Sequence, residues 1–125
     1  ILPEYTVGEV LDTIREMADD IEKSFNVKIE ISTEQMEQAA PATEVTAPIV
    51  KLLKRAVKQV YGVDAKPRGL GGTTVASIFR RYEYPVAVWA TVDDIAHQPN
   101  EYCRISNMIK DAKVFTLCVQ NSSSL

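Results

Sequence analysis

The chain has 125 residues, 46% of them hydrophobic and 25% charged, with a formal net charge of −3. That balance excludes wholesale disorder, no apolar run reaches the roughly 18 residues of a membrane-spanning helix, and the N-terminus lacks the basic-then-apolar order of a signal peptide. Two cysteines, Cys103 and Cys118, and one histidine exclude both a disulfide scaffold and a closed Cys/His zinc site, and they suit a reducing, cytoplasmic setting.

Charge is unevenly placed. Residues 1–45 hold 3 Lys/Arg against 11 Asp/Glu, and residues 46–125 hold 11 against 6. The acidic part argues against a nucleic-acid module, which needs a continuous basic surface. In the basic part Lys51, Lys54, Arg55 and Lys58 read as one solvated helix face, the alternative being attraction for an anionic small molecule.

In chain order, Ile1 and Leu2 read as a strand end stopped by Pro3. Thr6 and Glu9 have the spacing of a capping box. Behind them Val7, Val10, Leu11, Ile14, Met17, Ala18, Ile21 and Phe25 recur at helical spacing, which predicts an amphipathic helix of about five turns. Val27, Ile29 and Ile31 alternate with polar residues as in a strand with one wet face. Residues 33–47 follow neither period. They mark a boundary, with 1–38 as one unit, 39–47 as linker and 48–125 as a second unit.

A second helix is expected from Thr46 as cap and Pro48 in its first turn, with Ile49, Leu52, Leu53, Ala56, Val57 and Val60 inward and Gly62 ending it. Gly69-Leu70-Gly71-Gly72-Thr73-Thr74 then leads into a helix containing Val75, Ala76, Ile78 and Phe79. Pro85 to Val92 is an almost unbroken apolar run, as in a strand buried on both faces of a parallel sheet, with Trp89 as core. A polar loop, Asp93 to Arg104, precedes a final helix capped near Ser106 with Ile109, Ala112, Phe115 and Val119 inward, and the serines after Asn121 read as frayed. The whole is an α/β pattern with too few strands for an independent sheet.

Two places carry chemistry. The glycine turn before Thr73 and Thr74 lets backbone approach a ligand, and free N–H groups at a helix start attract anions, so it reads as a cradle for a carboxylate or an oxyanion. It is neither GxGxxG nor GxxxxGKS/T, so no nucleotide is implied, and a plain tight turn is the alternative. His97 follows the apolar run on its loop, where ligands gather in α/β sheets; it could ligate a metal or move a proton, or be a loop residue without a task. Asp93 and Asp94 are adjacent and point opposite ways in extended chain. Glu101, four residues after His97, could orient that region or pair with Arg104. Neither cysteine has a histidine partner for thiol chemistry.

The strings Gly71-Gly72-Thr73-Thr74, Tyr84-Pro85-Val86-Ala87-Val88-Trp89 and Ala96-His97-Gln98-Pro99-Asn100-Glu101-Tyr102 resemble the C-terminal end of the zinc-dependent amidohydrolase and exopeptidase family. That family includes acetylornithine deacetylase, succinyl-diaminopimelate desuccinylase and bacterial glutamate carboxypeptidase. Ile1 to Tyr5 and the helix behind them resemble the last strand–helix–strand of the family's inserted ferredoxin-like dimerisation domain. The resemblance therefore implies a slice of an α/β catalytic domain joined to a piece of an α+β domain that pairs two subunits.

It implies His97 as a metal ligand, Gly72 and Thr73 at the substrate's carboxylate, and Glu101 as an acid that supports the ligand without touching metal. Many members have Asp where Val75 stands, so contacts of that Asp do not carry over. The family's other ligands and its glutamate base match nothing in these residues, so no catalytic residue is assigned here and the 125 residues alone are expected to be inactive. Completed by the missing N-terminal part of the same polypeptide, the parent enzyme is expected to cleave the amide bond of an N-acyl amino acid, as in amino-acid biosynthesis. A two-metal zinc site (with cobalt or manganese as substitutes) would activate a water, as a cytoplasmic homodimer without nucleic-acid or membrane partners. The alternatives are a metallo-carboxypeptidase or dipeptidase on the same scaffold, or a non-catalytic interaction module.

Overall fold

A computed structural model describes residues 3–69, 72 and 74–124. Four helices follow one another: α1 (Val7–Phe25), α2 (Pro48–Tyr61), α3 (Val75–Arg81) and α4 (Ile105–Asn121), with a 3₁₀ turn at Ser122–Ser124 in place of the expected frayed end.

Local chemistry sets the helix ends. At α1 the Glu9 N–H donates to Thr6 Oγ1 at 3.2 Å and the Thr6 N–H donates to Glu9 Oε2 at 2.8 Å, closing the capping box. Gln38 adds to it from afar: its Oε1 accepts from the Val7 N–H and its Nε2 donates to the Tyr5 carbonyl, both at 3.0 Å. Asn26, at φ 52°, ends α1 in the left-handed region that Asn tolerates. Pro48 opens α2 and Gly62, at φ 73°, closes it by donating to the Lys58 carbonyl. The cap of α2 is Ala47 rather than Thr46, and that of α4 is Arg104 rather than Ser106; neither accepts a capping hydrogen bond through its side chain, so no side-chain cap marks either start.

The core lies between α2 and α4. Ala56, Val57 and Val114 are buried, the two valines completely, and Leu53, Val60, Tyr61, Ala65, Trp89, Leu117 and Cys118 close around them. Burying each valine contributes about 1.5–3 kcal/mol. The face of α4 that packs differs from the expected one. Asn107, Asp111, Val114, Leu117 and Cys118 face inward, whereas Ile109, Ala112, Phe115 and Val119 are exposed. Both stripes recur at helical spacing, and the apolar count alone favours the wrong one.

Two further expectations are corrected: no strand forms among the described residues, so the α/β pattern is not realised there. At Val27 to Ile31 no partner strand stands alongside among the described residues, and the Ile29 N–H donates to the Glu22 carboxylate of α1. The run after Pro85 keeps the alternation of a strand without a ladder. Ala87, Trp89, Thr91, Asp93 and Ile95 are half-buried, while Val88, Ala90, Val92, Asp94 and Ala96 are exposed. Only one face is covered, not two. Thr43 holds the start of this run, its hydroxyl donating to the Val86 carbonyl at 2.7 Å and accepting from the Val86 N–H at 3.0 Å.

The accessible surface is 10,179 Å². A folded monomer of 13.9 kDa exposes about 6,700 Å². The excess includes the uncovered apolar faces, among them Ile14, Met17, Ile21 and Phe25 on α1. No helix among the described residues is long and apolar enough to cross a membrane.

Candidate functional site

The loop between the extended run and α4 carries His97, and its backbone is held in several places. Asp93 and Arg104 stand at its two ends, joined by an ion pair from Arg104 Nε to Asp93 Oδ2 at 2.7 Å. The guanidinium of Arg104 holds the Asp93 carboxyl below its ordinary value. Inside, the Ile95, Gln98 and Glu101 N–H groups donate to the carbonyls of Asp93, Ile95 and Gln98 in successive turns. His97 and Asn100 both lie in the left-handed region, at φ 63° and 62°. Asn and His are among the side chains that visit it at least cost.

Glu101 does meet His97, through the backbone: the His97 N–H donates to Glu101 Oε2 at 3.1 Å. The carboxylate thus stabilises a left-handed turn and leaves the imidazole exposed, without a hydrogen bond or ion pair among the described residues. The alternative partner of Glu101, Arg104, is engaged by Asp93 instead. Asp94 is exposed and its carbonyl accepts from Gln98 Nε2 at 3.2 Å, so the two adjacent aspartates are separated as extended backbone requires.

Of the glycine turn, Gly72 is described and Thr73, Gly71 and Leu70 lie outside the described residues. Gly72 is exposed, and a Cβ placed on it would meet nothing within 4 Å. No atom of the His97 loop among the described residues lies within 4 Å of that Cβ position. Helix α3 begins at Val75, with Thr74 as its cap residue and the Ser77 N–H and hydroxyl both donating to the Thr74 carbonyl.

The remaining candidates resolve simply. Lys51, Lys54, Arg55 and Lys58 form an exposed face, with Lys58 paired to Asp64 at 2.9 Å. Cys103 and Cys118 are free thiols, and burial pushes the Cys118 thiol up, away from the reactive thiolate. A groove of about 470 Å³ runs between α2 and α4 along Val60, Lys110, Lys113 and Leu117, and none of the candidate residues lines it.

Asp111 is what the sequence reading missed. Its Oδ1 accepts from Tyr61 Oη at 2.7 Å, from Trp89 Nε1 at 2.8 Å and from Thr91 Oγ1 at 2.8 Å, and its Oδ2 accepts from the Thr91 N–H at 2.9 Å. The two hydroxyls are themselves 2.8 Å apart. Each brings one proton, so two of the three O–O edges carry a proton at any moment. Burial raises the Asp111 carboxyl, but the donors from Tyr61, Thr91 and Trp89 outweigh it and hold it below its ordinary value. Tyr61 is pushed up, by burial first and also by the charge of Asp111. The sequence carries a signal for it: Asn107, Asp111, Val114 and Cys118 share one helical stripe.

No group of three His, Cys, Asp or Glu side chains that could hold a metal ion occurs among the described residues. His97 fits the part of a single ligand, an exposed imidazole on a backbone fixed by Glu101 and by the turn bonds; the rest of a site is not among these residues.

Comparison with known proteins places the chain. The sequence profile of peptidase family M20/M25/M40 matches residues 3–121. An uncharacterized metallohydrolase of Methanocaldococcus jannaschii is 41% identical over 123 residues, covering 92% of this chain and 30% of the relative. A second, from Methanococcus maripaludis, is 34% identical over 128 residues, covering 92% of this chain and 31% of the relative. The chain thus spans about a third of the length of these relatives. No solved structure matches. The match over residues 3–121 shows that the chain belongs to peptidase family M20/M25/M40.

Proposed function

We propose that the complete polypeptide is a metal-dependent hydrolase of the amide bond in N-acyl amino acids, of the acetylornithine deacetylase or succinyl-diaminopimelate desuccinylase type. The single observation that carries the proposal is His97: an exposed imidazole on a loop tied at both ends, in a chain of this family. In this reading His97 is one ligand of a zinc centre, Glu101 fixes the backbone that presents it, and Gly72 and Thr73 bind the substrate's carboxylate. A bound metal ion would supply Lewis acidity and an activated water at neutral pH. The contribution of these residues is to bind and orient. The imidazole must be neutral to ligate, and the loop presents it without a competing partner among the described residues.

A homodimer paired through the first 38 residues and a cytoplasmic location belong to the same proposal. So does the inactivity of residues 1–125 alone, since a single imidazole does not make a hydrolytic metal site. A peptide substrate is the second reading, favoured by the family's description as peptidases. A panel of N-acetyl and N-succinyl amino acids beside dipeptides, assayed for release of the free amine, separates the two. Turnover of neither class in the metal-loaded polypeptide refutes both and leaves a non-catalytic module.

A further inference from the structure

The carboxylate of Asp111 sits far along α4 from the His97 loop, yet what it holds is the root of that loop. Thr91 is fastened at three atoms. Its N–H and its hydroxyl donate to Asp111, at 2.9 and 2.8 Å, and its carbonyl accepts from Asn107 Nδ2 at 3.3 Å. The N–H and the carbonyl of one residue belong to the two planar peptide units that flank it, so fastening both fixes how the chain enters and leaves it. Two residues on, Asp93 binds Arg104, and six residues on comes His97. The far end of the loop runs straight into α4, which itself carries Asn107 and Asp111. Both ends of the loop are therefore referenced to one rigid helix.

The Asp93–Arg104 pair, which solvent reaches on the Arg104 side, cannot do this alone, since such pairs contribute little and are screened by salt. Four donors on one half-buried carboxylate make a stiffer tie, because charge-assisted hydrogen bonds are about twice as strong as neutral ones. We propose that Asp111 is a positioning residue for His97: through Thr91 it sets where the loop begins, and so where the imidazole stands. The proposal rests on the reading of His97 as a metal ligand.

The discriminating variant is Asp111→Asn in the complete polypeptide. The amide oxygen can still accept from Tyr61 and Trp89, but the amide NH₂ then faces the Thr91 N–H, donor against donor. The Thr91 N–H is released while the shape is kept. Two readouts are needed, zinc affinity by competition with a chromophoric chelator and hydrogen exchange of the amides in residues 93–104. The expected result is zinc affinity at least about tenfold weaker, the loss typical of a disturbed supporting shell, with faster exchange concentrated in residues 93–104. Tyr61→Phe, which removes one donor but leaves the Thr91 N–H bond, should change zinc affinity less than about twofold. In a His97→Ala background, Asp111→Asn should have no further effect on zinc.

Unchanged zinc affinity in Asp111→Asn, an equal loss in Tyr61→Phe, or a loss that simply adds to that of His97→Ala would overturn the proposal. If His97→Ala itself leaves zinc affinity unchanged, the ligand reading fails and the proposal for His97 falls with it; the exchange data then still report whether Asp111 fixes the loop. Should Asp111→Asn not fold, Asn107→Leu frees Thr91 from the carbonyl side and must produce the same concentrated exchange and zinc loss, or the proposal is wrong.

Discussion

Replacing His97 tests the reading of the site most directly, and the backbone makes two replacements better than one. His97 sits at φ 63°, a conformation that costs a residue bearing a Cβ roughly 1–2 kcal/mol and costs Gly almost nothing. His97→Ala removes the imidazole and keeps that cost. His97→Gly removes the imidazole and relieves it, so the loop's preference for its native turn should differ between the variants by about 1 kcal/mol, or fivefold, before any chemistry is considered. If the imidazole ligates a metal, both variants must lose the same large factor in kcat. We expect at least about a hundredfold, at or beyond what loss of a supporting residue produces, with one metal ion missing per subunit by elemental analysis. If His97 matters only because its backbone shapes the loop, Gly and Ala must part company, the Gly variant retaining more activity or even exceeding the parent. Activity within about twofold of the parent in both variants, with full metal content, would refute the ligand assignment.

Gly72→Ala meets no atom within 4 Å, so thermal stability should change by less than about 0.5 kcal/mol, while a turn that binds the substrate's carboxylate should show a raised KM. Thr73→Val, if the hydroxyl donates to a charged group, should raise KM by a factor equivalent to about 1.5–3 kcal/mol with kcat nearly kept; a fall in kcat at constant KM assigns the turn to the transition state instead. Asp111→Ala strands the Trp89 and Thr91 donors and should lower stability by about 1–3 kcal/mol in urea denaturation. Because the Asp111 carboxyl is held below its ordinary value of 3.8, its contribution is present above that pH and is lost as pH falls through the native value. Asp111→Asn should therefore flatten the acid limb of the stability profile, and an unchanged limb would contradict the hydrogen-bond assignment.

What the sequence disclosed and what it hid divide along the range of the interactions. The capping box of Thr6 and Glu9, and the Pro48 start and Gly62 stop of α2, depend on neighbours within a few residues and could be read directly. The strands could not be verified in the same way, because an apolar run becomes a strand only against a partner. Among the described residues the run after Pro85 has helices on one side and no ladder. The inward face of α4 was misassigned because the helix carries two apolar stripes. The one with more bulk, through Ile109, Phe115 and Val119, is the one left uncovered. His97 and Glu101 were legible as a pair by their spacing, but the contact runs to a backbone N–H, and the left-handed turn that makes this possible leaves no mark in residue type beyond Asn100.

Trp89 is the only tryptophan in the chain, and its surroundings make it an optical reporter. Its indole N–H points at a carboxylate, and the ring of Tyr61 lies 5.8 Å away at 60°. A negative charge at the pyrrole end of an indole shifts its emission, and a tyrosine at that range transfers excitation to it efficiently. Detachment of residues 85–92 from α2 and α4 would change both signals together. Solvent reaching the ring from the uncovered side would move the emission alone and leave the transfer intact. Two colours from one native side chain thus distinguish loss of docking from loss of cover, without a label and at a point eight residues before His97 along the chain.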